Sequence, residues 1–159
     1  MSFLRHTVSS PLGRLECVAF DEAVVEIRFA GGEAASGVAA SSCSGVLGLL
    51  EAQLSEYFEG RRRTFDVPLA PVGTVFQQQA WNALCTIPYG DTISYAEQAR
   101  RTGRPRAARA VGGANARNPL PIVVPCHRVV GTSGRLVGFA GGLDRKAWLL
   151  EHEHRVMAR

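Results

Sequence analysis

Residues 122–131 read IVVPCHRVVG, with apolar residues on both sides of a Pro-Cys-His-Arg centre. The flanks have the pattern of buried strand, so the chain must place a thiol, an imidazole and a guanidinium inside an apolar setting. A thiol becomes a nucleophile through its thiolate, which requires a lowered pKa. His127 and Arg128 are the nearest sources of a base or of positive charge. Neighbouring side chains on an extended strand point to opposite faces, so His127 does not easily reach Cys126 directly. Pro125 is placed to break the strand there, and a water can bridge the two side chains. The histidine needs an orienting partner to fix its tautomer. A C-terminal helix from Leu143 to about Glu153 offers Glu151 and Glu153.

The rest of the 159-residue chain divides in two. LRHTVSS, RLECVAF and VVEIRFA alternate as three strands of an antiparallel meander, with turns at Pro11-Leu12-Gly13 and Asp21-Glu22. Gly31 to Ser44 is expected to be a loop, and the apolar stripe of Val46 to Phe58 a helix closed by Gly60. Pro68 and Pro71 mark an extended boundary, giving domains 1–73 and 74–159. Thr74 and Gln77 have capping-box spacing ahead of a helix whose apolar face is Phe76, Ala80, Ala83, Leu84 and Ile87. Pro88-Tyr-Gly-Asp is a turn. Ser94 and Glu97 open a short helix through Arg101, Gly103 ends it, and Pro105 suits the first turn of a helix to about Ala116. Two helices joined in this way predict a helix-turn-helix. The fold class expected is α/β in the α+β sense: a small N-terminal antiparallel sheet with a helix, then a mainly helical C-terminal domain.

Charge follows the same boundary. Residues 1–75 carry 6 basic and 9 acidic side chains, and residues 76–159 carry 12 basic and 5 acidic, the 18 and 14 of the whole chain. The basic half suggests a polyanionic partner. The segment PRAARAVGGANAR pairs that charge with small residues. Gly112 and Gly113 each cost a helix roughly 1 kcal/mol relative to alanine. Either the helix packs closely against a neighbour, or it must enter a narrow space such as a minor groove about 6 Å wide.

Pro-Cys-His-Arg between apolar residues, downstream of a helix-turn-helix, resembles the signature of the O6-alkylguanine-DNA alkyltransferases (methylated-DNA–protein-cysteine methyltransferases). Val124 to Val130 matches it at every position. The resemblance extends through FQQQAW, IPYG, SYAEQA, RAARAVGGANARNP, GFAGG and RKAWLLEHE. It is dense over residues 76–153 and general over 1–75.

The resemblance implies stoichiometric transfer of an alkyl group from guanine O6 in DNA to Cys126, with thymine O4 a second position of the same class. His127 would deprotonate Cys126 through a water, and Glu153 would orient His127. Tyr95 would lie near the flipped base and assist protonation of the leaving guanine. Arg109 would take the place of the extruded base, and Asn118 would link the recognition helix to the reactive segment. Ala107, Ala108, Gly112, Gly113, Ala114 and Arg128 join Arg109 and Tyr95 as expected DNA contacts. Val129, Phe139, Ala140 and Gly141 are the expected pocket. Phe139 and Ala140 depart from the tyrosine and the serine or arginine of some relatives, and Gln98 stands where an aliphatic residue is usual.

The partner expected is double-stranded DNA carrying O6-alkylguanine, with no membrane and no cofactor. Some family members bind zinc in the N-terminal half; only His6, Cys17 and Cys43 are available there, so no metal is expected. Cys17 and Cys85 are expected as small core residues. A cytoplasmic monomer is the expected setting. Three other readings differ in what they require. An alkyltransferase-like binder lacks the cysteine present here. A helix-turn-helix regulator needs an effector or dimerisation segment. A Cys-His-Glu hydrolase needs an oxyanion hole and leaves the basic Gly-Ala helix unexplained.

Overall fold

The computed structural model describes residues 3–30 and 44–159. The loop expected at Gly31 to Ser44 lies outside the described residues except for Ser44, as does Cys43. The chain divides into two compact units, 1–72 and 73–159.

The first unit carries the expected meander. Strands β1 (Phe3–Ser10), β2 (Gly13–Phe20) and β3 (Ala23–Phe29) pair antiparallel in that order. Gly13 takes φ 97°, a left-handed conformation that suits the tight turn after Ser10. One face of the sheet buries Val8, Leu15, Cys17 and Ile27. Helix α1 (Gly45–Phe58) packs on the sheet and buries Leu47, Leu50, Leu54 and Tyr57 at helical spacing. The extended segment after α1 covers β3: the Val24 amide donates to Pro68 O and the Ala70 amide to Val24 O, both at 2.9 Å. Pro68 suits that position because an edge needs an acceptor and no donor from it.

The second unit is mainly helical: α2 (Val75–Leu84), β4 (Ile93–Ser94), α3 (Tyr95–Arg101), α4 (Ala108–Ala116), β5 (Val129–Val130) and α5 (Leu143–Met157). The fold is thus the mixed α and β class expected. Thr74 and Gln77 form a complete capping box, each side chain bonded to the other's amide at 3.1 and 2.9 Å. Ser94 caps α3, but Glu97 does not return the bond; its carboxylate is drawn to Arg100 and Arg101 instead. Ala80, Ala99, Val111 and Ala114 form the core where α2, α3 and α4 meet, flanked by Phe76, Tyr95 and Ala108. Trp81, which the periodicity left off the apolar face, is also buried there.

Four expectations are corrected. Helix α4 begins at Ala108, three residues beyond Pro105. Ala107 N donates to Arg104 O at 2.9 Å, so Pro105 occupies the second position of a separate turn, which its fixed φ favours. Of the two apolar flanks, only Val129 and Val130 are strand, paired parallel to Ile93 and Ser94; Ile122 to Val124 lie in turns, and residues 126–128 form a turn of 3-10 helix. Cys17 is buried as expected, whereas Cys85 is exposed at the end of α2. Helix α5 also runs on to Met157, because His152, Glu153 and Val156 all turn inward. Among the described residues, no helix is long and apolar enough to cross a membrane.

Candidate active site

Pro125 shapes the segment around the thiol. Its φ of −82° and ψ of 65°, with Cys126 N donating to Val124 O at 2.8 Å, make an inverse γ-turn. The next three residues wind into the 3-10 turn, so Cys126 and His127 are not held on opposite faces of a strand. Ile122, buried four residues earlier, adopts φ 76°. A β-branched residue in that region costs about 1–3 kcal/mol, strain that the surrounding packing must hold.

Asn118 ties this segment to the end of α4. Its Nδ2 donates to Val124 O, and its Oδ1 accepts from Leu120 N, both at 2.9 Å. Burial pushes the Cys126 thiol up, while the Asn118 amide and the nearby Lys146 charge pull it back toward the thiolate. Lys146 is itself wholly buried on α5, and its Nζ donates to Val137 O at 2.7 Å and to Gly138 O at 3.3 Å. Burial lowers its pKa and Cys126 opposes that shift. The sequence reading passed over Lys146, because a lysine inside an amphipathic helix normally signals a solvated face.

His127 is fully buried, and its Nε2 lies 2.7 Å from Glu153 Oε2. Burial would push the Glu153 carboxyl up, but hydrogen bonds and charge from His127 and Arg128 outweigh it. They hold the carboxyl well below the usual carboxylate range. An ionised Glu153 makes Nε2 the protonated nitrogen of His127. Nδ1 is then the basic one, and it has no protein partner among the described residues. Burial lowers the His127 pKa, with Glu153 opposing, so the ring is neutral.

Arg128 occupies a different place from the expected DNA contact. It is buried, donates to Glu153 Oε1 and Oε2 at 2.9 and 3.0 Å, and donates to Ile87 O at 2.8 Å. Its guanidinium also lies 5.5 Å from the centre of the Tyr89 ring. The IPYG stretch is therefore more than a turn. Gly90 N donates to Glu153 Oε1 at 3.2 Å. Its φ of 83° favours glycine, and a Cβ there would stand 2.5 Å from the Met157 side chain, which would have to shift.

A cavity of about 420 Å³ opens beside Cys126. One wall is α4, through Ala108, Arg109, Gly112 and Asn115; the other is Val137, Gly138 and Phe139. Tyr95 stands between the walls and donates its hydroxyl to Val137 O at 3.0 Å. Burial, then the charge of Cys126, raises its pKa, so it is a neutral phenol. The β4–β5 pairing fixes Tyr95 relative to Cys126, since each follows or precedes a paired residue directly or within three positions.

The other expected site residues sort by position. Arg109 is exposed at the cavity, and Ala107 and Ala108 are half-buried at the start of α4. A Cβ on Gly112 would meet the Tyr95 ring at 3.6 Å, and one on Gly113 would meet nothing within 4 Å. Close packing therefore does not demand either glycine. Ala114 faces inward into the helix core instead of outward. Phe139 lines the cavity as expected. Val129 does not: it is fully buried in β5. Ala140 is exposed and Gly141 half-buried, and neither forms part of the wall.

A buried thiol, a neutral imidazole and an ionised carboxylate thus lie behind a helix-turn-helix pair, α3 and α4. Residues 75–155 match the DNA-binding domain of 6-O-methylguanine DNA methyltransferase, and residues 3–71 match the ribonuclease-like domain of the same family. The chain belongs to the 6-O-methylguanine DNA methyltransferase family. A methylated-DNA–protein-cysteine methyltransferase of Mycolicibacterium paratuberculosis is 46% identical over 151 residues, 94% of this chain and 91% of that protein. One from Methanosarcina acetivorans is 57% identical over 101 residues, 64% of this chain; the match spans 65% of that relative's length. The crystal structure of Mycobacterium tuberculosis OGT in complex with DNA superposes with a TM-score of 0.84 at 42% identity, covering 96% of this chain and 93% of that one.

Two outcomes follow from the ion pairs. Arg128→Leu leaves the buried Glu153 charge without its guanidinium partner and should cost about 3–5 kcal/mol in denaturant unfolding, whereas Arg109→Leu should stay within about 0.5 kcal/mol. Acid should also destabilise the fold. The folded pKa of His127 lies below the ordinary 6.5 and that of Glu153 below 4.5. The unfolded chain therefore binds protons first. Stability should fall as pH drops below 6.5 through His127, and again below 4.5 through Glu153. Thermal melts across that range check it.

Proposed function

We propose that the chain repairs DNA by irreversible transfer of the alkyl group from O6-alkylguanine to Cys126, one event per molecule. O4-alkylthymine is a second substrate of the same chemistry. The observation that carries the reading is the buried thiol opening onto a cavity whose other boundary is the recognition helix. The target carbon of an alkylated base points into the stacked duplex, so the nucleotide must be flipped out, at a cost of a few kcal/mol. Arg109, exposed at the cavity on α4, fills the space left in the stack. Gly112 and Gly113 keep that face of α4 slim enough to approach a minor groove. Ala107 and Ala108 lie at the leading end of the same helix.

In the chemical step, a water carries the thiol proton to Nδ1 of His127, while Glu153 holds Nε2–H. The thiolate attacks the alkyl carbon, the S–C bond forms and the C–O6 bond breaks. The electron pair leaves on guanine, which takes a proton from the Tyr95 hydroxyl. The proton gained by His127 makes up that loss through solvent, so the thiol proton ends on guanine. Lys146 and Asn118 favour the thiolate before attack. The thioether product has no easy leaving group, so nothing restores Cys126. A cytoplasmic monomer acting on double-stranded DNA is the setting this reading implies.

Intact-mass analysis after exposure to an O6-methylguanine duplex should show one added methyl per chain, located on Cys126 by peptide mapping. Repeated turnover, or label on another residue, would falsify the mechanism. Arg109→Ala should slow transfer from duplex DNA at least about tenfold more than transfer from the free modified base, because only the duplex requires flipping. Equal losses on both substrates would remove the arginine from the flipping step.

A further inference from the structure

Helices α2, α3 and α4 are joined by buried polar contacts that the transfer chemistry does not use. Gln98, with no exposed surface, sits in the middle of α3. Its Nε2 donates to Asn115 Oδ1 at 2.8 Å and to Ala80 O at 3.3 Å, and its Oε1 accepts from Asn115 Nδ2 at 2.7 Å. Beside this reciprocal pair, Trp81 Nε1 donates to Ala114 O at 2.9 Å. Asn115 is buried, yet it is also a wall residue of the cavity that holds Cys126.

Helix α4 has few other means of fixing its own rotation. No side chain caps its N-terminus. Its buried side chains Val111 and Ala114 meet Ala80 and Ala99, with Phe76 and Tyr95 partly buried beside them, and Gly112 and Gly113 add no packing there. Apolar contact of this kind is non-directional, whereas a paired amide bond requires distance and angle together. Arg109, Gly112 and Asn115 recur at three-residue spacing, so rotation of α4 moves all three across the cavity together.

We propose that the Gln98–Asn115 pair is a positioning device that sets the rotation of α4, and so places Arg109 in register with the Cys126 cavity. Gln98 is a positioning residue: it touches neither the thiol nor the cavity. The proposal rests on the alkyl-transfer reading above.

Single-turnover transfer is measured from an O6-methylguanine duplex and from the free O6-methylguanine base, which needs no inserted helix. The readout is the ratio of the two rates relative to wild type at the same pH, so that ionisation of the thiol cancels. Gln98→Met, similar in length but without polar groups, strands the Asn115 amide and should lower the ratio about tenfold. Gln98→Glu retains one donor and one acceptor only when protonated, and burial raises a carboxyl pKa. Its ratio should be as low as that of Gln98→Met near about pH 9 and recover toward wild type near about pH 6. Parallel losses on both substrates, an unmoved ratio, or a Gln98→Glu ratio that is flat with pH would each overturn the proposal. Wild-type protein that accepts no methyl from either substrate overturns the transfer reading itself, which is a different result.

Discussion

The ionised carboxylate of Glu153 is the contact on which the rest of the second unit depends. It accepts from His127, from two nitrogens of Arg128 and from the Gly90 amide. Three separated stretches, the reactive turn, the IPYG turn and the last third of α5, therefore converge on one buried charge. Such a charge is tolerated inside a protein only when its partners are complete. Its pull on Nε2 of His127 sets the tautomer and leaves Nδ1 as the base. Stability and chemistry rest on the same oxygens.

Around that anchor, the cavity has two walls of different character. Val137, Gly138 and Phe139 form a loop held by hydrogen bonds from Tyr95 and Lys146 to the same carbonyl, that of Val137. The α4 wall is a helix of poor intrinsic propensity kept in place by its neighbours. Its small residues leave it a slim outer face but remove the large side chains that usually lock a helix into its core. Buried amide and indole bonds from α2 and α3 provide the missing direction.

The meander, α1, the capping box at Thr74, the two-helix unit and the nucleophile were all legible as local pattern. Strand alternation, helical spacing and cap residues are near-neighbour effects, and the Pro-Cys-His-Arg signature is contiguous. The start of α4 was misplaced because Pro105 suits a β-turn as well as a helix N-terminus. Arg128 was read as a DNA contact because an arginine in a basic half is normally solvated. Nothing adjacent to it in the chain reveals that Glu153, twenty-five residues on, is waiting inside. Lys146 leaves no mark in the sequence for the same reason, and Gln98 stands out only as a departure from an aliphatic residue: each is polar in a place where only a distant partner makes burial tolerable.

By itself, then, the sequence determined the class of elements, the boundary between a β-rich and a basic helical unit, and the cysteine that stands as the candidate nucleophile. It also narrowed the histidine's orienter to two candidates, Glu151 and Glu153. The family resemblance points to Glu153, and the tertiary structure turns Glu153 inward onto His127 and leaves Glu151 exposed. The tertiary structure also moved Arg128 from an expected DNA contact to the interior, supplied the buried Lys146 and Gln98 with partners, and shifted the cavity wall from Ala140 and Gly141 to Val137 and Gly138. The physical reason is common to all of these. Burial of a polar or charged group is decided by partners brought close in space, and their separation along the chain leaves no local trace.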